Sequence, residues 1–192
     1  TTVQKRMKFD DNTQLQFGTD GDLQFYHTGG VGVLYNNTGD FTFRQNANDK
    51  DIIFQCDDGS GGIETYFKLD GSMSSGNPRT IFPDNSVLGL GTGADLQLYH
   101  DGSNGVIQNL TGSLTIQSTT DDSDVILRSD DGSGGLAAYL TLDGSATNMK
   151  AYKDMRFIDN VDAEFGDGGD FKIYHDGSNT YLEQINAGTG NI

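Results

Sequence analysis

The chain repeats itself, and that repetition constrains its fold more than any other feature. D-L-Q-L-Y-H-D-G-S-N occupies 95–104, D-F-K-I-Y-H-D-G-S-N occupies 170–179, and a divergent form, D-L-Q-F-Y-H-T-G-G-V, occupies 22–31. All 3 histidines, His27, His100 and His175, fall in this phrase, at steps of 73 and 75 residues. The 73-residue step also carries D-D-G-S-G-G from 57–62 to 130–135, and D-I-I-F-Q at 51–55 to D-V-I-L-R at 124–128. It carries Y-F-K-L-D-G-S at 66–72 to Y-L-T-L-D-G-S at 139–145. A related lead-in precedes each histidine phrase: K-F-D-D-N at 8–12, I-F-P-D-N at 81–85 and R-F-I-D-N at 156–160. Self-similarity at a fixed interval marks tandem building blocks. The blocks are 1–73, 74–148 and a truncated 149–192. T-G-N-I at 189–192 aligns with T-G-S-L at 111–114 and the chain stops there; it also begins without Met, so it reads as a segment of a longer chain.

The phrase alternates with period two, the mark of a half-buried strand. Leu96, Leu98 and His100 take one face, and Gln97 and Tyr99 the other. Leu23, Phe25 and His27 in the first copy match that apolar face, as do Phe171, Ile173 and His175 in the third. D-G-S-N then has turn composition, because Gly accepts positive φ and Asp and Asn bond their own backbone. V-I-Q-N at 106–109 is expected to return beside the first strand. Further strands are expected at L-T-I-Q 114–117, V-I-L-R 125–128 and A-Y-L-T-L 138–142. This amounts to six or seven short strands of about four to seven residues per copy, an all-β architecture of tandem antiparallel repeats with Gly- and Asp-rich turns.

Such a module has a problem of substance. Hydrophobic residues make up 34% of the chain, Gly supplies 27 residues and Trp is absent. A 73-residue unit this poor in apolar side chains buries little surface, and chain entropy offsets most of the gain. The 8 Tyr and 11 Phe recur in ordered alternation, which argues against disorder and for a core shared between repeats or chains. Leu96, Leu98, Ile107, Leu114, Ile116, Ile126 and their counterparts are expected to build it. The net charge of -16 disfavours nucleic-acid partners, which demand clustered cations, and adhesion to anionic membranes. No apolar run is long enough to span a bilayer, so no membrane insertion is expected. The 1 cysteine, Cys56, aligns with Ser129 and is expected to be a buried or half-buried spectator.

Chemistry-bearing motifs are sparse. The histidines are expected to cover the end of the core and bond turn backbone. Three copies of His27, His100 or His175 on a trimer axis could hold a metal ion, but the pattern is Tyr-His-Asp rather than His-x-His, and no metal site is assigned. The neighbouring pairs His100–Asp101 and His175–Asp176 point to opposite strand faces, so no catalytic residue is assigned. The Asp-Gly loops lack the spacing of calcium-binding loops and read as turns. No cofactor motif is present. Tyr26, Tyr99 and Tyr174, opposite the apolar face, are the weak candidates for stacking on a sugar.

Together, L-G-T-G-A-D-L-Q-L-Y-H-D-G-S-N at 90–104, F-G-D-G-G-D-F-K-I-Y-H-D-G-S-N at 165–179 and D-I-I-F-Q-C-D-D-G-S-G-G-I-E-T-Y-F-K-L-D-G-S at 51–72 resemble a repeat of marine bacteriophage structural proteins, including cyanophage fibres. The lead-in F-P-D-N at 82–85 completes the likeness, which covers nearly the whole chain; Thr28-Gly29-Gly30 departs from its D-G-S corner. The resemblance implies a β-rich, fibre-like virion appendage, most often a tail fibre, built as a homotrimer alongside other virion proteins. It implies no enzyme, and a role in spacing or presenting a receptor-binding element outside the host. The alternatives are a carbohydrate-binding module contacting host surface glycan and a capsid-attached fibre or decoration protein.

Overall fold

In a computed structural model, residues 6–73 and 76–185 are described. The T-G-N-I match at 189–192 lies outside them. The described residues are all-β, without a helix, and form separate three-stranded antiparallel sheets. Contacts divide the chain into two units, Thr1–Gly112 and Ser113–Ile192.

The first unit holds three sheets. One contains β1 (Gln14–Phe17), β2 (Leu23–Thr28) and β3 (Val31–Asn36). The next contains β4 (Ile52–Asp57), β5 (Ile63–Asp70) and β6 (Arg79–Ile81). The third contains β7 (Leu88–Leu90), β8 (Leu96–His100) and β9 (Gly105–Asn109). The second unit repeats the last two kinds, with β10 (Val125–Asp130), β11 (Leu136–Asp143) and β12 (Asn148–Ala151), then β13 (Ala163–Phe165), β14 (Phe171–His175) and β15 (Thr180–Gln184). Every sheet is a simple meander with its middle strand second in sequence.

Local chemistry explains the meanders. After β8, the Asp101 carboxylate accepts the N–H groups of Ser103 and Asn104 at 2.8 and 2.7 Å, and Asp176 does the same for Ser178 and Asn179 after β14. This is the Asx turn expected of D-G-S-N. In the first copy the turn is Gly29-Gly30, with φ of 55° and 89°. Two left-handed residues make the tight two-residue hairpin that suits strand twist, so β2 and β3 continue their pairing to Thr28 and Val31. The other sheet type carries a bulge. Tyr66 and Tyr139 are each the extra residue where the β4–β5 and β10–β11 registers shift. Their hydroxyls donate to the carbonyls of Asp57 and Asp130 at 2.8 Å, which ties each bulge to the loop before it.

Two expectations need correction, and a third is refined. No strand forms at 114–117: L-T-I-Q has strand composition and no ladder, as does its counterpart F-T-F-R at 41–44. Strand lengths run from 3 to 8 residues rather than four to seven. The sheets also straddle the sequence period. β6, past residue 73, pairs with β5, and β12 spans 148–151 and pairs with β11. The start of each repeat thus closes the last sheet of the one before.

No hydrophobic residue is buried among the described residues. The expected core residues are on the surface: Leu98 is 50% exposed, Ile107 62% and Ile116 64%, with Leu114 and Ile126 also exposed and Leu96 half-buried. The chain exposes 15664 Å². Two separate compact globules of these unit sizes would expose roughly 10,700 Å². The folded chain therefore leaves roughly 5,000 Å² in water that globules would bury.

Candidate functional site

Cross-strand partners share a sheet face, so each histidine sheet presents one apolar face. Its central row is Leu15–Phe25–Leu34 in the first copy, Leu88–Leu98–Ile107 in the second and Ala163–Ile173–Leu182 in the third. The large members of these rows are exposed, Leu182 to 70%. The opposite face is better covered. Tyr26, Tyr99 and Tyr174 are half-buried there. Tyr181 stacks on the Tyr174 ring at 4.8 Å, and the Tyr174 hydroxyl lies 3.3 Å from Glu183. Burial and the Glu183 charge both raise the Tyr174 pKa. These tyrosines, expected to be exposed, are the more sheltered side of the sheet.

His27, His100 and His175 close the apolar face at the strand end and are exposed. Each ring Nδ1 meets a carboxylate sixteen residues earlier: Asp11 at 2.9 Å, Asp84 at 2.9 Å and Asp159 at 3.1 Å. The backbone repeats the link, because Asn12, Asn85 and Asn160 donate to the carbonyls of the same histidines at 2.9, 2.8 and 2.8 Å. The N–H groups of Gly102 and Gly177 also lie 3.2 and 3.0 Å from Nδ1. One nitrogen cannot donate to a carboxylate and accept from an N–H. The carboxylate is the stronger partner and is present in all three copies, so Nδ1 carries the proton. The histidine therefore latches its strand to the lead-in. The carboxylate partner is not the sequence neighbour Asp101 or Asp176, and it was readable: an Asp-Asn pair starts sixteen residues before every histidine. No hydroxyl or thiol bonds these imidazoles among the described residues, and no group of three or more metal-ligating side chains gathers there.

The second polar corner is the D-G-S turn. Lys68 stands 2.9 Å from Asp51 and 2.6 Å from Asp70, and Asp70 is 6% exposed. The Asp70 carboxylate also accepts the N–H groups of Ser72 and Met73. The second copy has Thr141 where the first has Lys68. Lys150, from β12, bonds Asp143 instead. The corner keeps its ion pair by drawing the cation from a different strand. Lys68 and Lys150, with the backbone N–H groups, hold Asp70 and Asp143 well below the ordinary carboxylate range. A depressed carboxylate contributes stability above its unfolded pKa and loses it as pH falls through the folded value. Stability followed by circular dichroism should therefore start to fall as pH drops through the ordinary carboxylate range and keep falling below it. Asp143→Asn should flatten that acid limb and lower stability at neutral pH.

The D-D-G-S-G-G loops are turn devices. Asp58 accepts from Ser60 and Gly62 at 2.7 and 3.0 Å, and Asp131 from Ser133 and Gly135 at 2.8 and 3.1 Å. These backbone bonds lower the Asp58 pKa; for Asp131 the Ser133 hydroxyl contributes first. Cys56, expected to be at least half-buried, is exposed. A cleft of about 490 Å³ joins this loop region to the next lead-in, walled by Glu64, Tyr66, Asp84 and Ser86. Tyr66 is 45% exposed there, its ring held by the hydroxyl bond to Asp57. At the equivalent position of the second copy Ala137 replaces Glu64. Sequence reasoning passed over Tyr66 because it stands one residue out of strand alternation, at the bulge. No family model, curated protein or solved structure matches this chain.

Proposed function

We propose that the chain is a structural segment of a bacteriophage virion fibre, a tail fibre by preference, which spaces or presents host-receptor-binding elements and works as a homotrimer. The observation that carries this reading is a repeated β module in which no hydrophobic residue is buried among the described residues. A module none of whose described apolar side chains is fully buried suits an assembly in which identical copies supply the missing cover. The high negative charge suits an exposed, soluble appendage. The sequence likeness to phage structural repeats supplies the virion setting. Antibodies raised against the chain, imaged on particles that carry it, should decorate appendages; uniform labelling of the capsid would overturn the tail assignment.

One observation favours a second reading, a module that contacts host glycan directly. The Tyr66 cleft sets an exposed aromatic ring beside Glu64 and Asp84, a combination that can stack on a sugar and accept its hydroxyl hydrogens. A glycan array on the chain separates the readings. Silence supports the spacer. Binding abolished by Tyr66→Ala supports the adhesion module.

A further inference from the structure

We infer that the segments at 41–44 and 114–117 are strands completed by another copy of this chain. The inference deepens the reading above and rests on its shared core, but it names the contact.

Both segments alternate apolar and polar residues, F-T-F-R and L-T-I-Q, as sheet strands do. Both are launched by the same device. The Asn36 side-chain amide donates to the carbonyls of Thr38 and Gly39 at 2.8 and 3.1 Å, and Asn109 does so to Thr111 and Gly112 at 2.7 and 3.1 Å. Gly39 and Gly112 then turn the chain with φ of 66° and 70°. No residue from there to the end of either segment has positive φ. Yet, among the described residues, no N–H or carbonyl of 41–44 or 114–117 is bonded to another backbone group. Two copies therefore keep a strand sequence and a strand launcher, and neither has a partner within the chain.

Side chains give a second, independent sign. Phe43 lines an open cleft of about 370 Å³ with Ile52 and Leu69, and Ile116 lines its counterpart of about 520 Å³ with Val125, Leu142 and Met149. The cleft recurs at equivalent positions of both repeats, so it is a designed vacancy of the module rather than a local flaw. Phe43 and Ile116 are 60% and 64% exposed beside it.

The occupant is a second copy of this chain, on the argument of area. Roughly 5,000 Å² is left uncovered per chain; obligate interfaces bury ~2,000–5,000 Å² summed over both partners, so the uncovered area is enough for two such contacts on each chain, as a closed trimer requires. A copy of the same repeat offers cover at every such position at once, whereas a short ligand or peptide would cover one. Strand addition satisfies the free backbone groups, and apolar side chains of the copy fill the clefts.

Hydrogen exchange read by mass spectrometry, on a sample whose mass is measured by light scattering, tests this. In the oligomer, amides of 41–44 and 114–117 should exchange at least roughly 100-fold more slowly than an unstructured chain, as paired strands do. Thr115→Pro, which removes one N–H from the segment, should reduce the oligomer fraction at least tenfold at equal concentration. An oligomer whose segments exchange at the unstructured rate overturns the strand inference and leaves the shared core standing. A folded monomer overturns both.

Discussion

Leu98→Asp should convert the assembled protein to dissociated, largely unfolded chains. Leu98 stands at the centre of the row Leu88–Leu98–Ile107, on the middle strand of its sheet, with half its surface in water. If the chain acts alone, a carboxylate at a half-exposed position is a surface change worth no more than about 0.5 kcal/mol. If another copy covers the face, the carboxylate is buried without a cation, at about 3–5 kcal/mol per chain. A difference of that size is a large fraction of the roughly 5–15 kcal/mol that a folded domain holds in reserve. Thr92→Asp is the matched control, since the third copy has Asp167 at that position and the site is exposed. It should leave mass and melting temperature unchanged. Light scattering and thermal melts of both variants decide the matter, and equal behaviour would count against the covered face.

Gly144→Ala should cost about 1–3 kcal/mol, the range for forcing extra atoms into a packed place. A Cβ at Gly144 would stand 2.4 Å from the Ser123 carbonyl oxygen, and one at Gly71 would stand 2.4 Å from that of Lys50. Neither contact can relax by turning a side chain, because the obstruction is backbone. At both positions the glycine N–H also donates to an aspartate, Asp124 at 3.0 Å and Asp51 at 3.0 Å. The close approach is what brings the D-G-S turn against the entry to β10 or β4. Gly71→Ala should match Gly144→Ala, and the double variant should add, since the two sites lie in different units. Gly132→Ala is a different case: open space surrounds it, and only its φ of 87° opposes a side chain.

The sequence made the sheet content and most of the strands legible, because period-two alternation and Asp-Gly turns are local signals. V-I-Q-N returned beside its partner as β9, and A-Y-L-T-L lies inside β11. The same logic failed at 114–117, where alternation marks a residue pattern and cannot say whether a partner strand exists in the same chain. The choice of sheltered face also escaped. Leu98 and Tyr99 alternate equally well, and only their burial in the folded chain shows that Leu98 is the more open while Tyr99 is half-buried. The histidine's partner was legible, since an Asp-Asn pair starts sixteen residues before each imidazole. Asp101 is adjacent in sequence, but its carboxylate is taken by Ser103 and Asn104, so Asp84 remains for the imidazole. Tyr66 and Tyr139 escaped because a bulge breaks the alternation that would have placed them.

A mass in solution, measured by light scattering on folded protein, bears most directly on whether identical chains complete one another. The expected value is three times 20.7 kDa, held on dilution until the far-ultraviolet β signal and the oligomer are lost together. A 20.7 kDa particle that keeps its β signal and melts at a temperature independent of concentration would contradict the account.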